Sequence, residues 1–340
     1  MSPINAIDRE TEAANSSDDA LFEMLGLNSL DTVIDQDDQD DSPSEQLVNT
    51  PIMVVERHNL ASIYRSESMC LLPKEISLSS VLIRKLTDEL VWGGDKVQAD
   101  RTYEAIKVMK KNGEIENRPT LTRLENFVNH HVEWNKLCHG HLADSISALF
   151  GEPMVLYKEK LNLKPPGGSG FAPHLDTPSL RVALGNEGPQ TFVTVMVAID
   201  NMTASNGCLR ICKGDWSEEK HCEVIQPSDD NPDAGGRAGA IPLEVAEELQ
   251  FDDVECQGGD IVAFNGWTPH RSSANASPFP RRAVFLTYNP KSEGDFHDRY
   301  YQRMDEIRNA FRASVGLGGM PQMSAEDKFE LDAMSTIPRI

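Results

Sequence analysis

The chain has 340 residues, 25% of them charged, with 54 acidic against 32 basic side chains and a net charge of -22. That length supports one large domain, or two small ones, with a sizeable core. The acidic balance, with no basic stripe interleaved with aromatics, excludes a nucleic-acid partner, because its field repels a polyphosphate.

Residues 1–48 hold thirteen Asp or Glu against one basic residue, Arg9, and read as a disordered acidic tail. The remainder, 49–340, reads as one domain. Ser79 to Val91 has apolar residues at Val81, Leu82, Leu86, Leu90 and Val91, close to helical spacing, and Gly93 with Gly94 stops it. A second helix is expected from about Glu133 to Leu149, ended by Gly151 and Pro153. His130, His131, Cys138, His139 and His141 fall in or beside it, and their spacings match no common structural-zinc pattern.

From Met154 the texture changes to short apolar runs separated by Gly and Pro. Strands are expected near Val155 to Lys164, Phe192 to Ile199, Cys208 to Cys212, Ile261 to Phe264 and Ala283 to Tyr288. Such spacing argues for a mainly β fold with flanking helices: an antiparallel double-stranded β-helix, a jelly-roll core over about 154–290. An insertion over about 226–250 reads as a lid with a helical piece at Val245 to Leu249. A final amphipathic helix is expected over about 298–315, ended by Gly316 to Gly319. No stretch approaches the roughly 20 apolar residues of a membrane span, and the N-terminus lacks a secretory pattern. The six cysteines form neither a C-x-x-C pair nor a disulfide framework. A cytoplasmic protein without membrane contact is expected, with its oligomeric state open.

His174, Leu175 and Asp176, with His270 far downstream, are the chemically telling residues. On an extended segment side chains two apart point the same way, so His174 and Asp176 can bind one ion together while Leu175 faces away. His270 follows Gly258-Gly259-Asp260 and the apolar run Ile261 to Phe264, which reads as a buried strand ending near a loop. Two imidazoles and a carboxylate fill one face of an octahedral iron(II) and leave the opposite positions open. Lys158, Lys160, Asn162 and Lys164 alternate with Glu159, Leu161 and Leu163, so one strand face is polar and mostly cationic. Period-two polarity alone does not say whether that face lines the cavity or meets water.

Several linked segments resemble the phytanoyl-CoA dioxygenase (PhyH) family of iron(II) and 2-oxoglutarate-dependent oxygenases over roughly residues 120–290. They are Phe171-Ala-Pro-His174-Leu-Asp176, Asn206-Gly-Cys-Leu209, Gly258-Gly-Asp260, His270-Arg-Ser272-Ser-Ala-Asn275 and Arg281. Lys213-Gly-Asp-Trp216 departs from the Pro-Gly-Ser-His of many relatives. The resemblance implies that His174, Asp176 and His270 are the catalytic metal ligands for iron(II). It also implies that Arg281 pairs with the distal carboxylate of 2-oxoglutarate, a task that suits a planar guanidinium. Arg282, its strand neighbour, faces the other way. Ser272, Lys158 and Asn162 are expected to assist in co-substrate binding, and Lys160, Thr177 and Ser179 to contact substrate. With O2 as oxidant and ascorbate as a stimulant, the implied reaction is hydroxylation, desaturation or cyclisation at a C–H bond. The expected substrate is a small polar molecule such as an amino acid or aminophosphonate, in natural-product biosynthesis. The same chemistry on a lipid, acyl-CoA or terpenoid, and a non-catalytic jelly-roll binding module, stay open as alternatives.

Overall fold

The computed structural model describes residues 68–72, 77–93, 97–109, 113–225 and 239–314. The acidic tail and residues 226–238 of the expected lid lie outside the described residues. Two antiparallel sheets pack face to face. The larger has the order β1 (Met69–Leu71), β9 (Ile261–Asn265), β6 (Val193–Ala198), β11 (Arg281–Pro290), β4 (Met154–Lys164), β3 (Ile115–Glu125) and β2 (Asp100–Met109). The smaller has the order β5 (Phe171–His174), β10 (His270–Ser272), β7 (Leu209–Ile211) and β8 (Asp252–Val254). This is the jelly-roll core expected from the sequence.

Every residue of β6 is buried, which is why it reads as a continuous apolar run rather than an alternation: it is covered on both sides. Val195 and Val197 join a core shared with helix α1 (Ser80–Trp92). The same core takes in Trp134 and Ile146 from a helical run made of α2 (Val132–Lys136), a π-helical stretch Leu137–Leu142 and α3 (Ala143–Phe150). Met196 and Ala198 pack the other way, with Phe264 and Ala283, onto Leu209 and Ile211 of the smaller sheet. The helices thus buttress the outer face of the larger sheet, and the site lies between the sheets. Ser79 caps α1 by accepting from Leu82 N at 3.4 Å. Short helices α4 (Asp176–Arg181), α5 (Glu218–Ile225) and α6 (Leu243–Glu248) interrupt the strands, the last close to the helical piece expected at Val245 to Leu249. The β2–β3 hairpin has no clear apolar alternation because it forms the sheet edge, where the outer half of β3 is largely exposed.

The last helix of the described residues, α7 (His297–Ser314), is held to β4 by one buried carboxylate. Glu159 has no exposed surface and accepts from Phe127 N and Val128 N at 2.8 and 2.9 Å. It also meets His297 Nε2 at 2.7 Å and Tyr301 Oη at 3.1 Å. Burial works against a charge on His297, but the bond to Glu159 outweighs it and raises the imidazole above its ordinary value of 6.5. Replacing Glu159 with alanine strands that cation and two amides, and is expected to destabilise the fold by about 3–5 kcal/mol. In the wild type the His297 contribution is fully present below its unfolded value and is lost as pH rises through the raised folded one. Urea unfolding at several pH values, compared between wild type and E159A, checks both.

Candidate active site

His174 closes β5 and His270 opens β10, and the antiparallel pairing sets the two histidines directly opposite each other. Their ring centroids are 4.1 Å apart. Leu175 stays extended (φ -115°, ψ 146°), so Asp176 returns to the His174 side while Leu175 packs with Ile241 and Ala246. The expectation of one extended segment needs correcting at its end, since Asp176 is the first residue of α4. The turn is made by the amides of Asp176 and Thr177, which both donate to the carbonyl of Gly266, at 3.1 and 2.9 Å.

Nε2 of His174 lies 3.9 Å, and Nε2 of His270 3.7 Å, from Asp176 Oδ1. Each imidazole donates its Nδ1–H to the backbone carbonyl two residues upstream, Ala172 at 2.7 Å and Thr268 at 3.0 Å. A carbonyl only accepts, so the tautomer is fixed and each Nε2 carries a lone pair on the aspartate side. Thr194 on β6 donates Oγ1 to Asp176 Oδ2 at 2.7 Å, which orients Oδ1 toward the imidazoles. Burial opposes the charge on Asp176, but His270 and His174 in their protonated forms, Lys160 and the Thr194 hydroxyl outweigh it and hold the carboxyl well below its ordinary range; on losing those protons the imidazoles become neutral donors. Two neutral nitrogens and one carboxylate oxygen, all within 4.8 Å of one another, are the donor set that suits iron(II) with positions left open.

The cationic face of β4 points inward, and a local irregularity explains why. Thr287 pairs with Lys158 but Tyr288 pairs with Leu156, so Tyr157 is an extra residue, a β-bulge. Before it, Leu156 joins the helix-side core; after it, Lys158, Lys160 and Asn162 line the cavity while Leu161 and Leu163 take the helix side. The bulge reverses which side of the strand the alternate residues occupy.

At the end of that face, Lys164 lies opposite Arg281 across the β4–β11 pair. Arg281 is 2% exposed and Lys164 3%, and among the described residues neither is ion-paired with a carboxylate. Lys164 Nζ donates to Ser272 Oγ (2.8 Å), Ser273 O (2.7 Å) and Gly207 O (3.3 Å), and Arg281 Nη2 donates to the same Gly207 carbonyl. Gly207 is left-handed (φ 72°), and a Cβ there would stand 2.2 Å from Ser273 O, so only glycine brings this carbonyl so close. Burial pushes Lys164 down to about 7, with Arg281 adding to the effect, and burial pushes Arg281 down to about 10. Arg281 Nε and Asn162 Oδ1 are buried without a partner. Such groups are costly unless something else satisfies them. Arg282 turns outward, donating to Asp200 (Nε at 2.8 Å, Nη2 at 2.9 Å) and to Asp88 of α1, as strand alternation requires.

One cavity of about 690 Å³, its open mouth included, is lined by His174, Asp176, His270, Arg281, Ser272, Lys158, Lys160, Asn162 and Ser179. The Ser179 hydroxyl donates to Asp176 O at 2.9 Å. Thr177 stands apart from the other expected substrate contacts: it is fully buried, does not line the cavity, and packs against Gly266, whose missing Cβ makes the room. Thr194 carries no site expectation from the sequence, and Lys164 carries one only as the last residue of the cationic β4 face. Thr194 did leave a signal, as the polar residue within the apolar run Phe192 to Ile199, where a buried hydroxyl needs a partner.

The fold and donor set define a double-stranded β-helix metal oxygenase. The chain belongs to the phytanoyl-CoA dioxygenase (PhyH) family, whose model matches residues 85–283, and is an iron(II)/2-oxoglutarate-dependent dioxygenase. It is 40% identical over 212 residues to a 2-aminoethylphosphonate dioxygenase of an uncultured bacterium, covering 62% of this chain and 74% of that one. It is 38% identical over 165 residues to a methylphosphonate hydroxylase of Gimesia maris, covering 48% of this chain and 56% of the other. The fold is similar to that of EctD from S. alaskensis in its apoform, with a TM-score of 0.50, 18% identity, and coverage of 78% and 83% of the two chains. Among the described residues no helix is long and apolar enough to cross a membrane.

Proposed function

We propose that His174, Asp176 and His270 hold iron(II) and that Arg281, Lys164, Ser272 and Asn162 seat 2-oxoglutarate. The reaction is oxidation of a C–H bond in a small polar substrate, with phosphonates ahead of amino acids. The observation that carries this reading is the pair of buried cations, Lys164 and Arg281, converging on Gly207 beside Ser272. Ser272 lies two residues, roughly 6.6 Å, beyond His270 on the same strand, a span that suits a five-carbon diacid reaching from the metal. Ser272 Oγ accepts from Lys164 Nζ and from Phe171 N (3.3 Å), so its own proton is available to a carboxylate.

Bound iron(II), 2-oxoglutarate and O2 supply the oxidising power, with succinate and carbon dioxide as co-products and ascorbate as a stimulant. The chain's own residues position and exclude. Ala172 and Thr268 fix the imidazole tautomers, Thr194 fixes the carboxylate, and the jelly roll keeps water from the C–H bond. Hydroxylation, desaturation and ring closure are the outcomes open to this arrangement. The names of the two phosphonate relatives and the cationic wall of the cavity favour a compact anion over a lipid or acyl-CoA. The reading places the protein in the cytoplasm, acting on a small molecule without nucleic acid or membrane.

Succinate release with iron and ascorbate, screened across aminophosphonates, amino acids and acyl-CoAs, tests it. Stimulation by phosphonates is expected. Metal-loaded protein that consumes no 2-oxoglutarate with any compound would instead mark a binding module.

A further inference from the structure

We propose that Lys158 seats the anionic head of the substrate and that Glu125 is its positioning residue. This rests on the site reading above and reassigns Lys158, which the sequence grouped with the co-substrate. Strand register separates the two ends of the cationic face. Lys164 is opposite Arg281, whereas Lys158 is opposite Thr287, and Thr287 is opposite Thr194, whose hydroxyl holds Asp176. Lys158 therefore stands level with the metal ligand's own partner, two strands away. Neighbouring strands are about 4.8 Å apart, so the backbones of Lys158 and Thr194 are roughly 10 Å apart. A lysine reaching inward leaves room there for a small head group and little more.

The ammonium is held in place. Lys158 Nζ is 3.1 Å from Glu125 Oε1 and 5.3 Å above the Tyr300 ring of α7. Glu125 is buried at 6% exposure and is also 3.4 Å from Arg123 Nε. Long cationic side chains without such restraint swing toward water, whereas this one is fixed at the cavity wall. Lys160, by comparison, lies between the rings of Phe171 and Phe285, at 5.7 and 5.4 Å.

The charge of the cavity points the same way. Its lining includes four basic side chains, Lys158, Lys160, Arg271 and Arg281, and a single carboxylate, Asp176, in a chain of net charge -22. A divalent metal and a diacid dianion cancel each other, and Asp176 and Glu125 offset two of the four cations. The remaining positive potential stabilises a compact oxyanion, a phosphonate or a carboxylate, and gives a neutral amine or alcohol nothing comparable.

The test compares wild type, K158M, K158R and E125Q with four probes: 2-aminoethylphosphonate, methylphosphonate, 3-aminopropanoate as the carboxylate counterpart, and ethanolamine as the probe with no anion. Probe-stimulated 2-oxoglutarate consumption is measured alongside iron titration and the melting temperature of each variant. In K158M the KM for the stimulating anion is expected to rise about tenfold or more, the worth of a charge-assisted hydrogen bond. That rise should exceed any change in the KM for the co-substrate. K158R should recover most of the loss, and E125Q should fall between. The phosphonate and carboxylate arms show which head group fits.

An unchanged anion KM in folded K158M overturns the proposal, as does an equal loss for ethanolamine, or a wild type stimulated by no anion while it still consumes 2-oxoglutarate. Wild-type protein that neither binds iron nor consumes 2-oxoglutarate overturns the underlying site reading instead, and this proposal with it.

Discussion

Alanine in place of His270 is expected to abolish turnover and weaken iron binding by at least about 100-fold, because losing even an outer-shell partner of a metal ligand costs roughly 10–100-fold. The expectation comes from the geometry. His270 faces His174 across a two-strand ladder and shares Asp176 Oδ1 with it, so no neighbouring imidazole can replace it. The fold should survive. His270 is held through Thr268 O and its ring packs on Phe264 at 4.9 Å, so its loss removes a ligand and a single contact at the edge of the core. Iron titration followed by 2-oxoglutarate consumption, with unfolding curves for wild type and H270A, checks this. Near-wild-type metal affinity in a folded H270A protein would remove His270 from the ligand set.

Arg281→Met is expected to raise the KM for 2-oxoglutarate by at least about 30-fold, since leaving a buried carboxylate without its charged partner costs roughly 2–5 kcal/mol. Lys164 adds a pH signature. Burial, with Arg281 beside it, pushes Lys164 down to about 7, so above that pH Ser272, at the end of the cavity, is backed by a neutral amine. A dianion placed there favours the charged form, and binding above pH 7 takes up a proton. Affinity for 2-oxoglutarate should therefore be greatest at or below pH 7 and fall by up to about tenfold per unit as pH rises. K164R, which stays charged, should flatten that slope. A wild-type KM independent of pH between 6.5 and 9 would separate Lys164 from the co-substrate.

Much of this site was legible in the sequence because the ligand pair is local. His174 and Asp176 are two residues apart, and the extended backbone at Leu175 is enough to bring them to one side. The buttress helices were legible from their 3.6-residue periodicity and their caps. What the sequence left open was the side of β4 on which its lysines lie, since alternation is symmetric between faces. Packing of Leu161 and Leu163 on the helices decides that. The β2–β3 hairpin escaped because an edge pair needs no apolar face. Thr177 lies outside the cavity lining: hydroxyl residues after a ligand suit a substrate contact and a tight packing niche equally well, and the missing Cβ of Gly266 makes room for the niche.

The unpaired Tyr157 divides β4 into two stretches of opposite phase. Deleting that single residue makes Leu156 and Lys158 consecutive, so both keep their sides and their partners, and what is lost is the ring of Tyr157 between Phe192 and Tyr300. If Tyr157 is instead kept and drawn into the ladder, the later stretch moves by one position, the lysines go to the hydrocarbon side and Leu161 and Leu163 enter the polar chamber. Losing the extra residue thus costs an aromatic anchor, whereas pairing it costs the entire charge of the chamber.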